Sequence, residues 1–156
     1  MREAIGSYWL TMIVITFIVL FTGYMCLSIN MNRSYKVKNE IINIMQKENG
    51  LNEDALKQIQ EYMTDVGYRT TGGCENGEFG FGINGQTQTD NKAVFCVKPL
   101  TIRYLPSTPY TKSQFPEVTY YQVRVFFSLD LPVVRNMFTF ALKGSTKKLF
   151  YPDSII

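Results

Sequence analysis

The sequence predicts an α+β fold: a long N-terminal transmembrane helix that continues into an amphipathic helix, then a second helix, then a small antiparallel sheet of three to four strands. Three observations lead to this prediction. An apolar stretch lies near the N-terminus, two following segments carry apolar residues at helical spacing, and the C-terminal part carries them in alternation. Because the helices precede the strands, the chain is α+β rather than a series of βαβ units.

The first element is an uncharged, apolar segment from Tyr8 to Ile29. As a helix it would be about 33 Å long, which is enough to cross a hydrocarbon core of about 30 Å. A cleaved signal peptide is the alternative, but its apolar region is shorter and ends at a small-x-small site, whereas residues 27–29 form a poor one. We therefore expect residues 1–30 to be an uncleaved membrane anchor and residues 31–156 to be one domain.

The helical pattern continues beyond the apolar segment. Apolar residues recur at helical spacing between charged ones, so residues 31–49 are predicted to continue the first helix until Gly50 ends it. A second helix is predicted over 52–66. Asn52 is suited to be its N-cap, and Gly67 to terminate it.

Strand patterns occupy residues 93–151. The strongest runs from Thr119 to Leu131, where the odd-numbered positions are predicted to face the core and the even-numbered positions to form a mixed, partly solvated face. Residues 143–146, Lys-Gly-Ser-Thr, are predicted to form a turn. Residues 67–91 are rich in glycine and are predicted to form an irregular loop.

The composition argues against an enzyme. The chain has no histidine, which is the commonest general base and metal ligand. The G-x-G-x-x-G pattern at 80–85 lacks the preceding strand and following helix of a dinucleotide site, and Glu75 and Glu78 supply too few oxygens for calcium. We therefore assign no catalytic, cofactor-binding or metal-binding residues. The net charge of +3, without a basic run, gives no reason to expect a nucleic-acid partner.

A glycine-rich, polar stretch lies between two cysteines, Cys74 and Cys96. A disulfide between them would contribute about 3 kcal/mol in the chain-entropy estimate, and it would persist only in an oxidising compartment. The alternative is two unrelated thiols in a cytoplasmic domain. Arg33, Lys36 and Lys38 follow the apolar segment and favour that cytoplasmic placement by the positive-inside rule, so charges and cysteines predict opposite orientations.

This organisation resembles that of pilin-like proteins, which form type IV pili, tight-adherence (Tad) pili and type II secretion pseudopili. The C-terminal part is similar to that of TadE-like pseudopilins in four short pieces: residues 123–127, 131–133, 138–142 and 143–146. The resemblance implies a non-enzymatic, single-pass subunit or assembly component of a Tad-type pilus or type II secretion-like system. It also implies a cell-membrane location with the C-terminal domain outside the cytoplasm.

In pilins, a glutamate near the mature N-terminus pairs with the amino terminus of a neighbouring subunit, and Glu3 is the candidate for that role here. The partners implied are membrane lipid, other pilin-like subunits or platform proteins, and further copies of the same chain; no cofactor is implied. The alternative is a membrane-tethered extracytoplasmic binding or sensor domain that does not polymerise. In that case the loops at 72–85 and 105–116 would form its contact surface.

Overall fold

The computed structural model describes residues 2–85, 92–102, 118–128, 139–150 and 152, with side chains from Tyr8 onward. In the described residues two helices precede five strands, so the predicted α+β class and order of elements are confirmed. The elements are α1 (Arg2–Lys47), α2 (Glu53–Val66), β1 (Phe79–Phe81), β2 (Phe95–Ile102), β3 (Val118–Ser128), β4 (Thr139–Ser145) and β5 (Leu149–Phe150).

Helix α1 is a single continuous helix of 46 residues. It passes from the apolar segment into the amphipathic part without interruption, as the helical spacing predicted, and it ends two residues before the expected position 49. The chain then turns at Asn49, with φ 53°, and at Gly50, with φ 149°. The Gly50 N–H donates to the Met45 carbonyl at 2.9 Å, which satisfies one of the last carbonyls of the helix.

Helix α2 begins and ends at the residues that its sequence predicted. The Asn52 side chain accepts a hydrogen bond from the Ala55 N–H at 2.8 Å, as an N-cap does. Gly67 follows the last turn with φ 64°, a left-handed conformation that favours glycine, and its N–H donates to the Thr64 carbonyl at 3.0 Å.

The strands form one antiparallel sheet in the order β1-β2-β3-β4, and β5 continues along the same edge of β3 beyond β4. Thr146 bridges β4 and β5. Its N–H donates to the Tyr121 carbonyl at 2.9 Å, and its hydroxyl accepts from the Tyr121 N–H at 2.9 Å. The predicted turn at 143–146 is therefore wrong, because these residues stay alongside β3.

The glycine-rich stretch at 67–91 was predicted to be an irregular loop, and it contains strand β1. Gly80 of β1 pairs with Cys96 of β2, so three residues that carry no strand pattern of their own are held by a long neighbouring strand. Residues 86–91, the last part of the predicted loop, lie outside the described residues, as do the second predicted loop at 105–116 and Leu129 and Leu131 of the predicted strand.

The main core lies between the two helices and one face of the sheet. Three odd-numbered residues of β3, Tyr121, Val123 and Val125, contribute to it as predicted. The opposite face was expected to be partly solvated, yet Arg124 and Phe126 on that face are also buried. A smaller cluster covers this second face and is composed of Ala93, Cys96 and Phe126, with Cys74 against it.

Candidate functional site

The largest exposed apolar surface in the described residues is the first half of α1, residues 8–29, which we call the apolar segment. Its side chains are exposed on all sides of the helix; Trp9 and Leu20, for example, are each 67% exposed. Helix α1 is long and apolar enough to cross a membrane, and both a membrane span and a signal sequence near an N-terminus have these properties. In either case the surface requires an apolar environment.

The second half of α1, residues 34–47, which we call the docked segment, packs one face against the domain. Val37, Ile41 and Met45 are each 0% exposed and belong to the main core. Gly144 of β4 allows the helix to approach the sheet closely, because a Cβ at this position would lie 2.8 Å from the Ile42 Cδ1 atom. The domain is therefore packed on α1 rather than linked to it by a flexible tether.

Where the two segments meet, Arg33 caps the C-terminus of α2. Its Nη2 donates to the Val66 carbonyl and, at 3.2 Å, to the Gly67 carbonyl. These carbonyls carry the negative end of the helix dipole, so a guanidinium at this position is favourable. The contact also shows that α2 runs back along α1 and ends close to the apolar segment.

Tyr68 makes a second polar connection at the same level. Its hydroxyl donates to the Phe126 carbonyl of β3, and its oxygen lies 3.2 Å from Ser34 Oγ on α1. Burial raises the pKa of the Tyr68 phenol above its usual value, so the hydroxyl stays protonated and able to donate. The hydrogen bonds join α1, the end of α2 and β3 at one point.

A cavity of about 390 Å³ opens beside Arg33 and Tyr68, and we call it the junction cavity. It contains two arginines and several hydroxyl groups, and none of the described residues that line it is acidic. The lining residues are Asn30, Arg33, Ser34, Gly67, Tyr68, Arg69, Thr70, Thr71, Phe127, Ser128 and Thr139.

Cys74 and Cys96, the predicted pair, form a disulfide in the structure, with their Cα atoms 5.7 Å apart. The bond holds residues 72–78 against the second face of the sheet. Gly72 exchanges backbone hydrogen bonds of 2.8 and 3.2 Å with Ala93 just before β2. Gly72 is needed at this position because a Cβ would overlap the ring of Phe126.

The same loop brings two carboxylates to Arg124, whose side chain is only 6% exposed. Nη2 of Arg124 lies 3.0 Å from Glu78 Oε1 and also contacts Glu75 Oε2. Lys143 Nζ lies 3.5 Å from the same Glu75 oxygen. The direct contact with the Arg124 guanidinium is the main reason that the pKa of Glu75 is lowered. Glu75 and Glu78, considered above as calcium ligands, therefore neutralise a buried arginine.

Two further patterns are explained by the local structure. The sulfur atoms of Cys74 and Cys96 and a carboxylate oxygen of Glu78 lie within 4.8 Å of one another, a grouping that could hold a metal ion. Both sulfur atoms belong to the disulfide, however, so they are not thiolate ligands. In the G-x-G-x-x-G pattern, Gly80 is a residue of β1 and the Gly85 N–H donates to the Gly82 carbonyl at 3.1 Å to close a turn. Gly80 therefore lies within an antiparallel strand, whereas the first glycine of a dinucleotide site lies in the turn that follows a parallel strand.

Glu3 lies near the N-terminus of α1, and its side chain is outside the part of the chain that the structure describes. The sequence alone did not identify the Arg33 cap, the junction cavity or the partners of Arg124. One signal was present for Arg124, a single cation in a long alternating strand, but nothing local indicates its partners. Neither a protein-family model, nor a curated protein, nor a solved structure matches this chain.

Proposed function

We propose that this chain is a non-enzymatic, single-pass, pilin-like subunit or assembly component of a Tad-type pilus or type II secretion-like system. The observation that supports the proposal is the division of α1, whose apolar segment is exposed on all sides while one face of its docked segment contributes to the core of an α+β domain. An anchored domain that acts alone needs only a flexible tether. A rigid continuation keeps the domain in a constant orientation on its helix, which suits a subunit that packs beside identical subunits.

The domain is proposed to lie outside the cytoplasm. The disulfide between Cys74 and Cys96 supports this side, since such bonds persist in oxidising compartments. Arg33, one of the cations that favour the opposite orientation, has a structural role as the cap of α2. Its presence after the apolar segment is therefore explained without reference to topology.

The apolar segment is proposed to pack against the same segment of neighbouring subunits, with Glu3 opposite a neighbour's amino terminus. A carboxylate near the membrane interior is unfavourable unless it has a partner of opposite charge. Helices without a charged side chain from residue 8 to residue 29 can associate over this whole length through van der Waals packing.

Disulfide cross-linking in native membranes tests the assembly. Leu20→Cys, in a Cys26→Ala background, places one thiol on the apolar segment, and Lys147→Cys places one on the domain as a matched control. We expect an oxidant to link Leu20→Cys chains into dimers far more than Lys147→Cys chains, and Glu3→Gln to reduce that yield. If both positions gave the same yield of cross-linked dimer, and that yield fell when the membrane was diluted with added lipid, the result would argue for the tethered binding or sensor domain.

The orientation has its own test. Intact cells are treated with a membrane-impermeant protease, and the fragments are mapped by mass spectrometry without reduction. We expect the protease to cleave the domain, after permeabilisation of an outer membrane if the cell has one. We also expect the Cys74–Cys96 bond to be present in the mapped fragments. Two free thiols in a protected domain would contradict the extracytoplasmic placement.

A further inference from the structure

The junction cavity lies at the level at which the helix would leave the hydrocarbon. Arg33 follows Ile29 by four positions, which is about 6 Å along a helix. The polar headgroup zone on each side of a bilayer is about 5–7 Å deep. If the apolar segment spans the hydrocarbon core, Arg33 therefore lies among the lipid headgroups.

Other parts of the domain converge at the same end. Helix α2 ends there, and Gly67 and residues 68–71 follow directly along the cavity wall. The sheet contributes Ser128 and Thr139, which are paired across β3 and β4. The cavity is thus formed by α1, the segment after α2, β3 and β4, and it lies on the side of the domain that faces the apolar segment.

The lining suits a phosphate group. Arg33 contacts the α2 carbonyls through Nη2, so the donors on its Nη1 and Nε remain, and exposed Arg69 has no partner among the described residues. Guanidinium groups bind phosphate oxygens by charge-assisted hydrogen bonds, and hydroxyls such as those of Thr70 and Thr71 add neutral donors. The volume of about 390 Å³ is within the range of sites for small ligands.

We propose that the junction cavity binds the phosphate of an anionic phospholipid headgroup in the membrane that the apolar segment spans. This inference rests on the proposed function, because it requires α1 to be membrane-inserted. The bound headgroup would neutralise Arg33 and Arg69 and would set the depth of the domain relative to the bilayer. No carboxylate among the described lining residues opposes such an anion.

The test uses the full chain in nanodiscs that contain mostly phosphatidylcholine and a minor fraction of phosphatidylglycerol, released for native mass spectrometry. We expect the protein to retain phosphatidylglycerol preferentially. Arg69→Gln should lower that preference about five-fold or more, as expected for the loss of one interfacial cation. Lys147→Gln removes an exposed cation just before β5, which pairs with the start of β3, whereas the junction cavity lies at the end of β3. This variant should leave the preference unchanged.

Three other results would overturn the inference, and they have different meanings. Equal retention in wild type and Arg69→Gln, with the chain inserted, removes the lipid site and leaves the proposed function intact. Extraction of the chain by alkaline carbonate would contradict both the lipid site and the proposed function, because it would show that α1 does not span the membrane. Thermal protection of the detergent-solubilised protein by inorganic phosphate, without any preference among lipids, assigns the cavity to a free anion instead.

Discussion

The two halves of α1 belong to one helix and have opposite surroundings. Ile18 in the apolar segment is 57% exposed, whereas Ile41 in the docked segment is 0% exposed. The residue type and the backbone conformation are the same, so neither decides burial. The difference lies in the pattern around each residue: the apolar segment is uncharged on every side, and the docked segment has one apolar stripe between charged residues.

One continuous helix can therefore have one part suited to an apolar environment and another part suited to packing on a domain in water. A helix that is apolar all round is stable only in lipid or among other apolar helices, while an apolar stripe requires a single packed face. The change occurs at Arg33 and Ser34, where polar contacts to α2 and Tyr68 begin. Variants in the apolar segment, the junction and the domain test this division.

Truncation of the two isoleucines separates the halves most strongly. Ile41→Ala should lower the free energy of unfolding of the detergent-solubilised chain by about 3 kcal/mol, because it leaves a cavity in a packed core. Ile18→Ala should change it by less than about 0.5 kcal/mol, because that side chain is exposed and its truncation leaves no cavity in the core. Denaturant titrations followed by near-ultraviolet circular dichroism measure both. Similar losses would show that the halves do not differ in packing.

Removal of the disulfide should destabilise the domain and leave the membrane association of α1 unchanged. The double variant Cys74→Ser/Cys96→Ser should lose about 3 kcal/mol of stability, since the bond closes a loop with a sequence separation of 22. Cys26→Ser, within the apolar segment, serves as the control. Thermal melting reports the stability, and resistance to alkaline carbonate reports insertion. A double variant that carbonate extracts would contradict the independence of the two segments.

The junction itself is tested by Arg33→Gln, which removes the charged cap from the end of α2. We expect a loss of about 1 kcal/mol in the free energy of unfolding, because the carbonyls of Val66 and Gly67 lose a charged donor. Lys36→Gln, an exposed residue on the same helix, is the matched control. An equal effect from both variants would mean that the loss of charge, and not of the cap, is responsible.

The acid dependence of stability should reside in the domain. Arg124 lowers the pKa of Glu75 in the folded state, so the ion pair adds stability at pH values above the unfolded pKa of about 4.3. This contribution is lost as the pH falls through the lower, folded value. Melting temperatures from pH 7 to pH 3 should show a difference between wild type and Glu75→Gln that disappears in acid. Glu61→Gln, exposed on α2, is the comparison, and a persistent difference in acid would exclude this origin.

Much of the fold was predictable because its signals are local. The continuity of α1, the caps at Asn52 and Gly67, and the alternation in β3 each depend on residues within one or two turns or strand repeats. The paired cysteines could also be proposed from their positions. The prediction of an anchor followed by one α+β domain needed nothing beyond these patterns.

The candidate site was less predictable because its parts are distant in sequence. The cap joins Arg33 to Val66 and Gly67, which follow it by 33 and 34 positions in the sequence. The Arg124 cluster joins the loop at 72–78 to the middle of β3. Strand β1 exists because β2 provides its hydrogen-bonding partners, and residues 143–145 belong to a strand because β3 extends beside them. No local pattern encodes these neighbours.

Local sequence was therefore sufficient for the helix, its apolar and amphipathic halves, and the strand-rich end of the chain, because hydrophobic periodicity and capping act over a few residues. Packing decided which surfaces are covered, how the second face of the sheet is closed and where the junction cavity lies. The physical reason is that burial and ion pairing depend on groups brought together only when the chain folds. Arg124, a cation in the middle of a strand, is the clearest case: only the folded loop supplies Glu75 and Glu78.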